Sequence, residues 1–243
     1  MSAIAILGAT GTIGSVLARR LVREGQSVLL VGRNEEKLSA LGQELAQPFV
    51  TVELMGSQQL EQALEAAADV QGGLHGMVNC IGSLLLKPAH ATTDEDFRRV
   101  IETNLFSAFA TIRAASRLLR ERGGTIVLFA SAAAEIGIAN HEAIAAAKAG
   151  VIGLARSAAA TYAPHNIRVN VVSPGLIRTE LTRRIWESPA SATASAQMHA
   201  LGRLGEPEQV ASLVAWLLDV ENNWITGQVI GIDGGLGHVL PRR

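Results

Sequence analysis

Residues 3–14 read Ala3-Ile4-Ala5-Ile6-Leu7-Gly8-Ala9-Thr10-Gly11-Thr12-Ile13-Gly14. Five consecutive apolar residues with no polar alternation predict a strand buried on both faces, as in a parallel sheet. Three glycines at a spacing of three follow at once. Val16, Leu17, Leu21 and Val22 then repeat at helical spacing. Strand, glycine turn and helix in that order open a βαβ unit.

The same alternation continues along the chain. Short apolar runs recur at Ser27–Val31, Phe49–Leu54, Gly76–Cys80, Thr125–Phe129, Val169–Val172 and Val229–Ile232. Helical patterns separate them; Leu60, Leu64 and Val70 mark one apolar face. This predicts an α/β fold, a doubly wound, seven-stranded parallel sheet flanked by helices, in one continuous domain over residues 1–243.

Composition excludes several classes. Of 243 residues, 48% are hydrophobic and 18% charged, enough apolar side chain to order a core. The net charge of −1 lacks the basic footprint of a nucleic-acid binder. A single cysteine, Cys80, forbids an internal disulfide or a multi-cysteine zinc site. His75, His90, His165, His199 and His238 show no metal-ligand spacing, so no metal is expected. Met1-Ser2 runs straight into the first strand without a cationic leader, and no long apolar stretch lacks charges or turn signals. The expectation is a cytoplasmic protein with no membrane partner.

The glycine turn carries the first chemical reading. Backbone N–H groups in such a turn can approach a pyrophosphate, and the helix N-terminus behind them favours the anion. The second strand ends Val31-Gly32-Arg33-Asn34. A carboxylate there would bind ribose hydroxyls and favour NAD(H). Arg33 instead suits a 2′-phosphate, so NADP(H) is expected over NAD(H).

Further segments fit one family. Asn79-Cys80-Ile81-Gly82 follows the fourth strand, and Asn104 lies in Glu102-Thr103-Asn104-Leu105. Ser131 follows Val127–Ala130. Ile144-Ala145-Ala146-Ala147-Lys148 ends in lysine. Ile167–Gly175 and Ile225-Thr226-Gly227 followed by Ile232-Asp233-Gly234-Gly235 complete the set. With these residues the chain resembles the short-chain dehydrogenase/reductase family, the β-ketoacyl carrier-protein reductase type most of all. The resemblance implies a Rossmann fold and a small carbonyl or alcohol substrate. It implies catalytic roles for Asn104, Ser131 and Lys148. It places cofactor contacts at Gly8, Thr10, Gly11, Thr12, Ile13, Gly14, Arg33, Asn34, Asn79, Cys80, Ile81, Gly82, Lys148, Pro174, Gly175, Ile177 and Thr179.

Two departures matter. The commonest glycine spacing of the family would put glycine at position 12, where this chain has Thr12, a residue able to donate a hydrogen bond to phosphate. The family's catalytic tyrosine position holds Ile144, which neither donates nor accepts a proton. Tyr162 lies eighteen residues on, about 27 Å along a helix, and cannot substitute. General acid catalysis is worth roughly 10²–10⁴-fold, so a replacement is needed or the chemistry differs.

His141 is the first candidate, with Asn140 as helix N-cap and Glu142 in the first turn. His141, Ile144 and Lys148 then share one helical face. Lys148 is a second candidate if its surroundings lower its pKa; its more ordinary role is to hold the nicotinamide ribose. Three readings follow: an oxidoreductase with an atypical proton donor, a silent dinucleotide-binding sensor or assembly subunit, and a lyase or isomerase on the same scaffold.

Ala133, Ala134, Ile136, Ile138, Leu176 and Leu181 predict an apolar pocket. Ser188–Ala196 is rich in small residues and reads as part of a mobile substrate lid. The alanine-rich segment from Glu142 to Tyr162 and the long helix through Phe106, Phe109, Ile112, Leu118 and Leu119 are apolar on more than one face. The resemblance implies that they pair into a homodimer or homotetramer.

Overall fold

The computed structural model describes residues 2–52, 57–70 and 72–239. Seven strands form one all-parallel sheet: β1 Ala3–Leu7, β2 Val28–Gly32, β3 Phe49–Thr51, β4 Leu74–Asn79, β5 Gly124–Phe129, β6 Ile167–Pro174 and β7 Val229–Ile232. Their order across the sheet is β3-β2-β1-β4-β5-β6-β7. Helices α1 Thr12–Arg23, α2 Glu35–Leu45 and α9 Pro207–Leu218 cover one face. Helices α3 Ser57–Val70, α5 Ser107–Leu118 and α6 Glu142–Tyr162 cover the other. This is a Rossmann-like arrangement.

Strand periodicity explains the two layers. Ala3, Ala5 and Leu7 of β1 pack toward α5 and α6, while Ile4 and Ile6 pack toward α1 and α9. All five are buried, which is why the strand shows no polar alternation. The edges differ. β3 is partly exposed and β7 only half-buried, because each has a neighbour on one side alone. Strand bounds move by a few residues from the apolar runs. β2 starts at Val28 and includes Gly32, β4 starts at Leu74 and ends at Asn79, and β6 extends to Pro174. Residues 53 and 54, assigned to the third run, and the side chain of Val70 lie outside the described residues.

Three local expectations are corrected. Asn140 is not the cap of α6: it sits at φ 64°, and His141 is the N-cap residue. Asparagine tolerates the left-handed region, so it turns the chain into the helix instead of capping it. Ser188–Ala196, expected to belong to a lid, is mostly helical. Ser188 caps α8, Pro189–Met198, with Pro189 in the first turn and alanines within. The long helix through Phe106 is interrupted: α4, Asp94–Ile101, and α5 are joined by a π-helical turn over Glu102–Phe106.

The segment Glu142–His165 is long and apolar enough to cross a membrane by length and composition alone. Here α6 is a core helix, with Val151 and Ala155 buried against the sheet and its flanking helices and Ala147 buried beside Val100 of α4.

Candidate active site

In an open parallel sheet, ligands bind outside the carboxyl ends of the strands, where the strand order reverses. Here that point lies between β1 and β4, whose following loops carry Gly8–Gly14 and Cys80–Gly82. Gly8 has φ +77°, and a Cβ there would meet the Cys80 and Ile81 backbone at 3.1–3.2 Å. A Cβ on Gly14 would overlap the Gly8 carbonyl oxygen. The turn is therefore closed to side chains at both ends. Gly11 is the N-cap residue of α1, and no side chain caps the helix N-terminus. An uncapped helix start behind a glycine turn fits a pyrophosphate.

Asn79 holds the facing loop. Its side chain is buried, with Oδ1 accepting from Ile81 N–H at 2.9 Å and Nδ2 donating to Ser107 Oγ at 3.3 Å. Arg33 is exposed just past β2, and no hydrogen bond or ion pair reaches it among the described residues. Asn34 caps α2 by accepting from Lys37 N–H at 2.9 Å. Its side-chain oxygen is thus committed to the helix. Thr12 Oγ1 accepts from Glu180 N–H at 3.1 Å, which ties the glycine turn to the segment after Thr179. The hydroxyl proton of Thr12 stays available. Thr179 is buried, its hydroxyl against Thr182 Oγ1 at 3.1 Å and its carbonyl accepting from Trp186 Nε1 at 2.8 Å.

A cavity of about 300 Å³ opens beside these loops and collects the other predicted residues. Ser131, Asn104, His141, Ile144 and Lys148 all line it, as do Ile13, Cys80, Ile81, Gly82, Pro174, Gly175, Ile177 and Thr179. Its walls are largely apolar. Ala133, Ile138, Leu176 and Leu181 line it as expected; Ala134 and Ile136 do not. Leu84, Ile185, Met198 and Leu236 add further apolar surface, so α8 supplies part of the wall through Met198.

Each polar group has a definite state. Asn104 sits in the π turn, a geometry that recurs at functional sites. Its Nδ2 donates to Val100 O and to Ser83 Oγ, both at 2.9 Å, and its Oδ1 accepts from Ser83 N–H at 3.2 Å. The side chain is fully used in holding the 83 loop to the helix. Ser131 Oγ accepts from Ala133 N–H at 3.3 Å, leaving its proton free to be donated. His141 Nδ1 lies 2.8 Å from Ala139 O. A carbonyl only accepts, so the proton of the neutral ring is on Nδ1. Lys148 is 7% exposed, and its Nζ donates to Phe129 O at 3.0 Å. Burial pushes its ammonium down to about 8 and the Cys80 thiol up to about 12.

One site residue escaped the sequence reading. His199, at the C-terminus of α8, is 4% exposed and lines the cavity. Its Nδ1 lies 2.7 Å from Ser195 O, and its Nε2 accepts from Leu176 N–H at 3.1 Å. It pins α8 to the segment following Gly175, whose missing Cβ makes room for the ring. No spacing rule marks a histidine whose partners are two backbone groups.

The comparisons agree with this fold. The family model described as Enoyl-(Acyl carrier protein) reductase matches residues 8–237. The chain is 34% identical to Carbonyl reductase family member 4 of Danio rerio, over 97% of this chain and 98% of that one. It is also 34% identical to the 3-oxoacyl-[acyl-carrier-protein] reductase FabG of Thermotoga maritima, over 95% and 96%. A solved short-chain type dehydrogenase/reductase from Mycobacterium ulcerans superposes with a TM-score of 0.93 at 32% identity, covering 97% of this chain and 90% of that one. A parallel sheet with a glycine cradle at its switch point defines a dinucleotide-binding α/β protein. The chain belongs to the short-chain dehydrogenase/reductase family of NAD(P)-dependent oxidoreductases, related to 3-oxoacyl carrier-protein reductases and carbonyl reductases.

Proposed function

We propose that the chain is an NADP(H)-dependent oxidoreductase that interconverts a carbonyl and an alcohol on an apolar substrate, with a proton donor other than tyrosine. One observation carries this reading: Ser131, Lys148 and the Gly8–Gly14 turn open on the same apolar cavity. The nicotinamide dinucleotide, when bound, supplies the hydride chemistry. Gly8, Thr10, Gly11, Thr12, Ile13 and Gly14 would hold its pyrophosphate; Asn79 to Gly82, Pro174, Gly175, Ile177 and Thr179 would shape the nicotinamide end. The free guanidinium of Arg33 supports NADP(H) over NAD(H). Ser131 donates its hydroxyl proton as a hydrogen bond to the substrate oxygen. Leu84, Ile138, Leu181 and Ile185 exclude water around it.

Ile144 favours a second reading, a silent dinucleotide-binding sensor or assembly subunit. It is 3% exposed and packed with Val100, Ala143 and Ala147, so this position supplies no proton. The surface supports assembly: Phe106 and Phe109 remain 39% and 44% exposed, with ring centroids 6.1 Å apart. We take these as part of a homodimer or homotetramer interface, and the chain as cytoplasmic.

NADPH oxidation against a panel of ketones and aldehydes tests the main reading, with wild type, His141→Ala and Ile144→Tyr side by side. Turnover by wild type supports an oxidoreductase. Activity in Ile144→Tyr alone supports the silent reading.

A further inference from the structure

We propose that Lys148 is itself the proton donor to the substrate oxygen, acting directly from Nζ. The inference rests on the oxidoreductase reading above and assigns the donor that Ile144 leaves vacant.

The geometry separates Lys148 from the other candidates. Its ammonium carries three N–H bonds, and one hydrogen bond from it, to Phe129 O, occurs among the described residues. The side chain lines the cavity together with Ser131, one helical turn beyond Ile144. No hydroxyl on α6 stands between the ammonium and the cavity. Asn104 has every side-chain polar atom engaged with Ser83 and Val100. His141 commits Nδ1 to Ala139 O, so only its cationic form could donate, from the other ring nitrogen, and the His141→Ala variant tests that form. His199 is held between Ser195 O and Leu176 N–H.

The surrounding charges favour donation. Among the described residues, Cys80, His141 and His199 are the other titratable groups on the cavity wall, and no carboxylate lines it. Glu135, on the segment after Ser131, turns instead to Ser173 and His238. On α4, Asp94, Glu95 and Asp96 pair with Arg98, Arg99 and Lys87 near the surface. Glu102 of the π turn is exposed, and Arg168 of β6 is engaged with Ile225 O, Leu217 O and Thr125. Lys148 is thus a buried cation without an anionic partner. Burial alone brings it down to about 8, close to working pH, where a general acid is most effective.

The step balances. The carbonyl carbon gains a hydride from a reduced nicotinamide, the C=O π pair moves to oxygen, and an N–H bond on Nζ breaks as the O–H bond forms. The product is an alcohol, with oxidised nicotinamide and a neutral lysine amine. The amine regains a proton from solvent at the cavity mouth. Run in reverse, the neutral amine is the base for alcohol oxidation.

The chain has three lysines, Lys37, Lys87 and Lys148. A lysine-selective NMR label therefore follows the Lys148 titration directly, with Lys148→Met as the assignment control. The test combines that titration, kcat for ketone reduction against pH, and NADPH affinity by fluorescence. Wild type, Lys148→Arg, Lys148→Met and His141→Ala are compared. The proposal expects kcat to fall above the NMR midpoint, near pH 8. It expects Lys148→Arg to lose about 10²-fold or more in kcat while NADPH affinity changes less than about threefold, and His141→Ala to keep the alkaline limb. Retention of kcat by Lys148→Arg within about tenfold overturns it. So does a parallel loss of NADPH affinity and rate, or an NMR midpoint in the ordinary lysine range. If wild type reduces no ketone while binding NADPH, the oxidoreductase reading falls with it; the other adverse results leave that reading standing.

Discussion

Lys148 shows how a single position opposes stability and chemistry. Its folded pKa of about 8 lies below the ordinary lysine value of 10.5. The unfolded chain therefore binds more protons between those values, and stability rises with pH across that window. Below pH 8 the full penalty of the buried charge applies, about 3 kcal/mol from the size of the shift. Lys148→Met should accordingly unfold at higher denaturant than wild type at pH 7, and that advantage should shrink toward zero by about pH 10. Chemical denaturation at the two pH values checks this. Gly14 gives the opposite case. Its missing Cβ is what lets the turn close over Gly8 O. Gly14→Ala should weaken NADPH binding at least about tenfold and lower stability by about 1–3 kcal/mol, read by fluorescence titration and denaturant unfolding. Cys80, with its thiol held near 12, should resist alkylation at pH 8 far more than an unfolded cysteine, as timed iodoacetamide labelling would show.

Elements differ in how openly the sequence declares them. Strands β1, β2, β4 and β5 are largely apolar on both faces and stand out because little else in a chain of this composition reads that way. Helix α8 is hard to see in the sequence because its small residues carry no amphipathic stripe; its signal is at its start, in Ser188-Pro189, where a cap precedes a proline. The π turn has no sequence signature at all, since it depends on Asn104 reaching both Ser83 and Val100 O. His199 joins α8 to Leu176 through backbone groups that any sequence provides. Its removal should be felt across two elements. His199→Ala leaves Leu176 N–H without its acceptor, at a cost of about 1–3 kcal/mol. The expected result is a raised KM with a smaller change in kcat, measured by steady-state kinetics beside denaturant unfolding.

At the scale of the molecule, the order β3-β2-β1-β4-β5-β6-β7 follows from right-handed crossovers in a parallel sheet. The residues of the cavity come from chain positions as distant as Ile13 and Leu236, yet most were legible, because many sit just past the carboxyl end of a strand and Asn104 and Lys148 fall in recognisable segments. What was not legible is the electrostatic state of the cavity, which depends on where the carboxylates turn. Self-association belongs to this scale as well. Sedimentation should give at least twice the 25.5 kDa chain mass, and Phe109→Lys should shift it toward the monomer.

The bond from Glu180 N–H to Thr12 Oγ1 joins the loop roofing the cavity to the turn that would receive phosphate. The loop and the turn are thus one connected unit, so nucleotide on the turn and substrate under the loop would act on each other. We expect an ordered reaction, nucleotide in before substrate and out after product. In product-inhibition kinetics, the oxidised and reduced nucleotides should compete with each other, while the alcohol product should not compete with the nucleotide.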